Sequence, residues 1–432
     1  SRDWSSDVCS SDLSYKHVPH PPSIFEGVRV LPPAHRLVFE PGAAPTVDRY
    51  WRLSFTPAVD APADDDAVVD ELLERLRGAV SRRLASDVPV GFFLSGGIDS
   101  SLVTALAAEI TGAPVKTFTL TYDDGSTTEG KEQDRRWARW VAERYATDHS
   151  EETIAVSDYP AAIRRILRAF DEPFAGVVST YFLAEAMARH VKVAVSGDGA
   201  DELFGSYRSH RMAFPEAATG QEPDWQWRAR LLVLSEAEKL QVYSPQARDA
   251  VAGTSTALHL RQAFDGLTAR DPLNRVLEAE FGGIFPDQVL TFVDRLSMAH
   301  ALEVREPLMD HPLVEWAAGL PSDLKLRGRE GKYIFKKAME PHLSEQILYR
   351  PKMGFAVPLA SWFRGPLRQK VRDSILGPGL ADSGYFDASV LSRMVDMHES
   401  GKRDFSGPLW SLLMFSSFLR RATGSEAGEA HG

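Results

Sequence analysis

The amino-acid sequence predicts an α/β fold, a parallel sheet flanked by helices, followed by a largely helical C-terminal part. Three observations carry this prediction. Between Val68 and Val195, short, mostly apolar runs alternate with segments whose apolar residues recur at helical spacing. Two of those runs, Val88–Leu94 and Val191–Val195, pass directly into loops rich in Gly and Ser. From about Ala213 onward the alternation stops, and charged, helix-forming sequence takes over.

Taken in order, residues 1–13 (SRDWSSDVCSSDL) repeat Ser-Ser-Asp without any helical or strand period. They resemble translated adapter sequence and are set apart from the fold, together with Cys9, which has no nearby His or helix start to lower its thiol pKa. Residues 14–56 place Pro and Gly between short β-type runs such as His35–Glu40. They read as hairpins, the remnant of a domain whose beginning lies upstream, and 57–67 reads as a linker.

The main unit spans 68–424. Val69, Leu72, Leu73, Leu76, Val80 and Leu84 line one face of a helix. Val88–Leu94 is a strand buried on both faces, as in a parallel sheet. Then come a helix over Ser101–Ile110, a strand over Val115–Leu120, a helix over Arg135–Tyr145 and a strand over Thr153–Val156. A helix capped by Asp158, another over Thr180–His190 and the strand Val191–Val195 complete the alternation. Such βαβ units cross over right-handedly and bind ligands at the carboxyl ends of their strands. Ala213–Arg275 reads as helices and loops, Leu277–Arg421 as helices, Pro408–Leu419 as a core helix and 425–432 as a frayed tail.

Composition narrows the function. Against 49 Lys and Arg stand 60 Asp and Glu, a net charge of −11, and no basic stripe with interleaved aromatics occurs, so nucleic acid is not an expected partner. A single cysteine excludes an internal disulfide and a Cys-rich zinc site. No apolar run is long enough for a membrane span and no export signal is visible, which points to the cytoplasm. His17 and His20 have no matching acidic or Cys partners, and neither HExxH nor GxSxG occurs. Trp137 and Trp140 read as packing residues on a helix with solvated arginines.

Chemistry concentrates in two loops. In Leu94-Ser95-Gly96-Gly97-Ile98-Asp99-Ser100-Ser101, two glycines let the backbone approach a ligand, and the following helix start offers free N–H groups to a phosphate. The alternative is a plain strand-to-helix turn with capping serines. No Walker lysine follows, and Asp99 would repel a bare phosphate, which calls for a divalent cation. In Ser196-Gly197-Asp198-Gly199-Ala200-Asp201-Glu202, three carboxylates follow a buried strand. A Mg²⁺ held by Asp99 and Asp201 accounts for both loops.

SGGIDSS, SGDGADELFGSY, the stretch from Asp294 through SMAHALEVREPLMD, GKYIFKKA and RPKMGFAVPLASWF occur in the order found in glutamine-dependent asparagine synthetases, whose synthetase half the chain resembles from Val68 to Leu419. Tyr15–Trp51 resembles the last strands of that family's glutaminase domain. The resemblance implies an ATP-pyrophosphatase type of site, adenine-nucleotide hydrolase-like in fold. There ATP activates a carboxylate as its acyl-adenylate, pyrophosphate leaves, and ammonia forms the amide.

By the same resemblance, Ser95, Gly96, Gly97 and Ser100 hold pyrophosphate, and the backbone at Leu94, Leu120 and Gly197, next to Ser196, frames the adenine. Asp99 and Asp201 bind Mg²⁺. Asp198, Asp294 and Glu303 line the acceptor site, with Arg305 in their motif. Lys332 stabilises charge growing on phosphorus and carbon, and Lys352 is a second such cation. Glu303 and Arg305 read equally well as a buried ion pair between helices.

The chain as written lacks the N-terminal cysteine with which that family attacks glutamine, so ammonia comes free, from another donor, or from glutamine in a longer chain. The stretch Thr121–His149 differs from many asparagine synthetases, and GKYIFKKAMEP with YRPKMGFAVPLASWFRGPL looks like amidotransferases of bacterial exopolysaccharide and exosortase systems. Aspartate is therefore the default acceptor, with a saccharide or peptide carboxylate as the alternative. A non-catalytic nucleotide-binding scaffold is the third reading, against which the retained acidic loop and Lys332 argue. The sequence is compatible with a homo-oligomer.

Overall fold

In the computed structural model, residues 13–57, 64–123, 129–207, 210, 224–350 and 357–423 are described. Cys9, most of the linker (58–63), the tail 425–432 and Lys352 with its neighbours (351–356) lie outside them. Near the start, β1 (His35–Val38) and β2 (Thr46–Arg49) pair antiparallel as the expected hairpin.

The body is organised on five parallel strands: β3 (Val90–Phe93), β4 (Lys116–Asp123), β5 (Asp148–Ala155), β6 (Val193–Val195) and β7 (Glu303–Arg305), in the order β5-β4-β3-β6-β7. Chain order runs outward from β3 in both directions, so the strand order reverses between β3 and β6. That gap is where an open parallel sheet leaves a crevice for ligand. Helices supply the crossovers: α1 (Asp65–Leu84) precedes β3, α2 (Ile98–Thr111) follows it, α3 (Glu129–Arg144) joins β4 to β5, and α4 (Asp158–Arg168) and α5 (Ser179–Met187) lead to β6. Beyond β6 lie α6 (Ala200–Phe204), α7 (Thr291–Met298), α8 (Tyr333–Met339) and α9 (Ser406–Thr423).

Two apolar cores flank the crevice. One packs Leu72 and Leu76 of α1 with Phe92, Leu106, Phe204 and Phe335. The other packs Tyr159 and Ile166 of α4 with Trp362, Phe363, Leu413 and Phe415, the last two on the expected late core helix. Trp137 is buried in the first core, edge-on to Trp140 at 6.4 Å, as packing residues. No helix among the described residues is long and apolar enough to cross a membrane.

The structure corrects the sequence reading in four places. β7 falls where continuous helix was expected, because three residues are too short to display a period of two. α1 begins inside the linker, at Asp65, with Asp64 accepting from Asp66 N–H as its cap. Asp158 is the first residue of α4 rather than its cap, and Ser157 before it is already helical (φ −58°, ψ −23°), so its side chain caps nothing. Finally, His20 has an acidic partner, Asp287, whose carboxylate takes the His20 backbone N–H at 3.0 Å and meets its ring Nδ1 at 2.9 Å.

Residues 13–20 are joined to the body at several points. Leu13 is buried in the second core. Val233 N–H donates to Ser14 O (3.0 Å), Tyr15 Oη to Thr256 O (2.9 Å) and Ala175 N–H to Lys16 O (2.7 Å).

Candidate active site

The loop after β3 is shaped by backbone needs. Gly96 adopts φ +71°, and a Cβ there would run into the carbonyl of Asp134 and the amide of Ala138 on α3. Gly97 is the N-cap of α2 and offers no side chain, so no side-chain acceptor covers the first N–H groups of that helix. Ser95 Oγ and Ser100 Oγ meet at 3.0 Å, and Ser95 N–H donates to Ser100 Oγ at 3.1 Å, which fixes both hydroxyls at the helix start. The Arg350 guanidinium secures the loop from outside, donating to Gly96 O at 2.8 Å and pairing with Asp134 at 2.7 Å.

The loop after β6 presses against it. A Cβ on Gly197 would lie 2.6 Å from Ser100 N and 2.7 Å from Asp99 C, so only glycine lets the two loops touch. Leu94 N–H donates to Phe118 O at 2.9 Å and its carbonyl accepts from Thr119 Oγ1, holding the end of β3 to β4. Leu94, Leu120, Ser196 and Gly197 all line one cavity of about 1240 Å³, which spans the gap between β3 and β6.

Lys332 joins the loops. It precedes α8 in the left-handed conformation (φ 57°), and its N–H donates to Phe204 O of α6 at 3.1 Å. Its ammonium, 2% exposed, lies 2.6 Å from Asp99 Oδ1 and 2.7 Å from Asp201 Oδ1. Burial alone would lower its pKa, but the Asp201 and Asp99 carboxylates outweigh that and hold it above the usual lysine range. Asp201 also accepts from Ser206 Oγ. Beside it, burial first and the Asp201 charge second push the Glu202 carboxyl well above its ordinary range, while Tyr207 donates to it at 2.6 Å.

Asp198 lines the same cavity. The other two acidic residues expected there are placed differently. Asp294 is exposed on α7 and does not line the cavity. Glu303 begins β7 opposite Val193, at the amino end of the strand. It is 57% exposed and 2.7 Å from Arg305, so the pair is an exposed ion pair rather than a buried one. At the carboxyl end of β7 stands Glu306. Burial first, then the charge of Asp198, push its carboxyl up to about 8, with Asp294 adding to the effect.

Sequence reasoning missed Glu306, the Glu202–Tyr207 pair and Arg350. A carboxylate one residue past a strand read as helix gave no face to assign. Arg350, by contrast, adjoins the RPKMGF stretch and could have been read with it.

Fold and site together define an α/β protein in which two glycine-bearing loops meet at the switch point of the sheet, joined by a lysine and two aspartates. The asparagine synthase family model matches residues 71–420, and the chain belongs to that family. Asparagine synthetase [glutamine-hydrolyzing] 1 of Bacillus subtilis is 26% identical over 441 residues, covering 93% of this chain and 67% of the relative. A putative asparagine synthetase of Mycobacterium tuberculosis is 28% identical over 437 residues, covering 93% and 65%. Asparagine synthetase [glutamine-hydrolyzing] 3 of Bacillus subtilis is 32% identical over 343 residues, covering 76% and 54%. The chain thus spans about two thirds of the length of the first of these relatives.

Proposed function

We propose that this chain is an ATP-dependent carbon–nitrogen ligase that amidates a carboxylate through an acyl-adenylate. The observation that carries the reading is the convergence of the Gly96-Gly97 and Gly197 loops on one lysine, Lys332, at the end of β3 and β6. The amides at the start of α2, with Ser95 and Ser100, bind the pyrophosphate end of ATP. A carboxylate oxygen of the acceptor then attacks the α-phosphorus, and pyrophosphate leaves. Ammonia attacks the acyl carbon, AMP leaves, and the proton shed by nitrogen passes to solvent or a nearby carboxylate. Lys332 stabilises the charge that grows in both steps.

The Oδ1 atoms of Asp99 and Asp201 both contact the Lys332 ammonium, so a Mg²⁺ ion would share these two carboxylates with Lys332 and complete its shell with phosphate oxygens, a donor set that suits Mg²⁺. Bound there, the ion would neutralise triphosphate charge. Among the described residues, no group of three or more His, Cys, Asp or Glu could hold a metal without such help.

Aspartate is the acceptor that the names of the relatives suggest, with nitrogen from ammonia or, in a longer chain, from glutamine. ATP–pyrophosphate exchange against a panel of carboxylates tests the reading. Exchange that depends on aspartate supports an asparagine synthetase. Exchange only with a saccharide or peptide acid assigns the chain to the alternative acceptor. ATP binding without exchange for any acid rejects the ligase reading.

A further inference from the structure

The cavity runs beyond the nucleotide seat. Away from Asp99 and Lys332 its walls are largely apolar, with Tyr122, Tyr159, Phe292, Val357 and Trp410 among them; among the described residues the lining cations other than Lys332 are Arg135 and Arg350, paired with Glu151 and Asp134, and Lys16. The chain around that lysine is tied down on both sides. Ser14 and Tyr15 are bonded to Val233 and Thr256, Lys16 O accepts from Ala175 N–H, and His20 is held by Asp287. Lys16 itself sits at φ 69°, a left-handed backbone that costs a non-glycine residue about 1 kcal/mol or more and persists only where its surroundings enforce it. Its ammonium takes part in no hydrogen bond or ion pair among the described residues. Burial first and the Arg228 charge second lower its pKa, so this cation gains from meeting an anion.

We propose that Lys16 is a specificity residue that receives a second anionic group of the acceptor, so that the substrate is an acid carrying a further negative charge on a body that rests against the aromatic wall. This rests on the ligase reading, because it assigns the far half of the same cavity to the acceptor. Two sources share the chemistry: an amino-dicarboxylic acid, and a sugar acid bearing a phosphate. In either case Lys16 is fixed before the ligand arrives, which reduces the ordering cost of binding.

Two measurements on the full chain separate this inference from the reading beneath it. Titration calorimetry in the presence of α,β-methylene-ATP compares L-aspartate with its α-amide, and the anomeric phosphate of D-glucuronate with D-glucuronate. At least one acid with two anionic groups should bind about tenfold or more tightly than its counterpart with one. Lys16→Met should abolish that preference, and Lys16→Arg should restore most of it. The affinity for α,β-methylene-ATP should be the same in all three proteins, which shows that the nucleotide half is intact. The arm that responds identifies the source. Equal binding of the acid with two anionic groups and its counterpart with one in both pairs, a Lys16→Met protein that binds like the parent, or no binding of any probe overturns the inference. Pyrophosphate exchange is run in parallel: if it is absent while Lys16-dependent binding persists, the ligase reading fails and the anion site stands.

Discussion

Replacing Lys332 by Met tests the centre of the site through stability alone. The side chain is 2% exposed and bonded to Asp99 at 2.6 Å and Asp201 at 2.7 Å. At such distances and an effective dielectric near 20, each contact has a gross attraction of about 6 kcal/mol, most of it offset by the cost of burying the ammonium. Removing the cation leaves two carboxylates facing each other in a crevice. Breaking a buried pair in this way typically costs about 3–5 kcal/mol. Urea unfolding of Lys332→Met, followed by fluorescence and circular dichroism together, should show a loss of that size at neutral pH. The loss should shrink in acid, where one carboxylate takes up a proton, and should be partly recovered in the Lys332→Met, Asp201→Asn double variant. A loss below about 1 kcal/mol, or a double variant no more stable than the single one, would refute the view that the ammonium holds the two loops together.

Four further outcomes follow from the same geometry. Gly197→Ala should drive the two loops apart, since its Cβ would lie 2.6 Å from Ser100 N, and equilibrium dialysis should show ATP affinity falling by about tenfold or more. Asp99→Asn and Asp201→Asn should each depress magnesium-dependent exchange strongly, and normal exchange rates in either would contradict the metal assignment. Glu306, raised to about 8 by burial and Asp198, favours the folded state while protonated. That contribution is complete below the unfolded carboxyl pKa and disappears as pH rises through the folded value. Glu306→Gln should therefore gain stability relative to the parent as pH climbs, by on the order of 3–5 kcal/mol above pH 8, read from paired denaturation curves. Lys325 behaves oppositely: burial lowers it to about 7, so its contribution is lost as pH falls toward that value, and Lys325→Met should flatten the thermal melting profile across that window.

The two loops and their strands were legible because their signals are local. Val88–Leu94 carries no charge and Val191–Val195 only Lys192, and each runs into glycines whose need for a bare backbone is explained by the contacts at Gly96 and Gly197. Lys332 was identified from its motif, yet its role as the bridge between Asp99 and Asp201 depends on residues more than one hundred positions away in the chain. The acceptor side was read less well. Asp294 and Glu303 stand outside the cavity lining, as does Glu306, the half-buried carboxyl that burial and the charge of Asp198 push up.

The division has a physical basis. Strand and helix periods, turn glycines and loop charge are properties of neighbouring residues, so composition and spacing determined an α/β sheet with acidic, glycine-bearing loops at its strand ends. Which carboxylate feels the charge of Asp198 at the end of a three-residue strand depends on the register of β7 against β6, and successive residues point to opposite faces. The left-handed turns that aim Lys16 and Lys332 are imposed by the surrounding packing rather than by lysine's own preference. Only the assembled tertiary structure decided these positions, because they are settled by contacts between segments remote from one another in the chain.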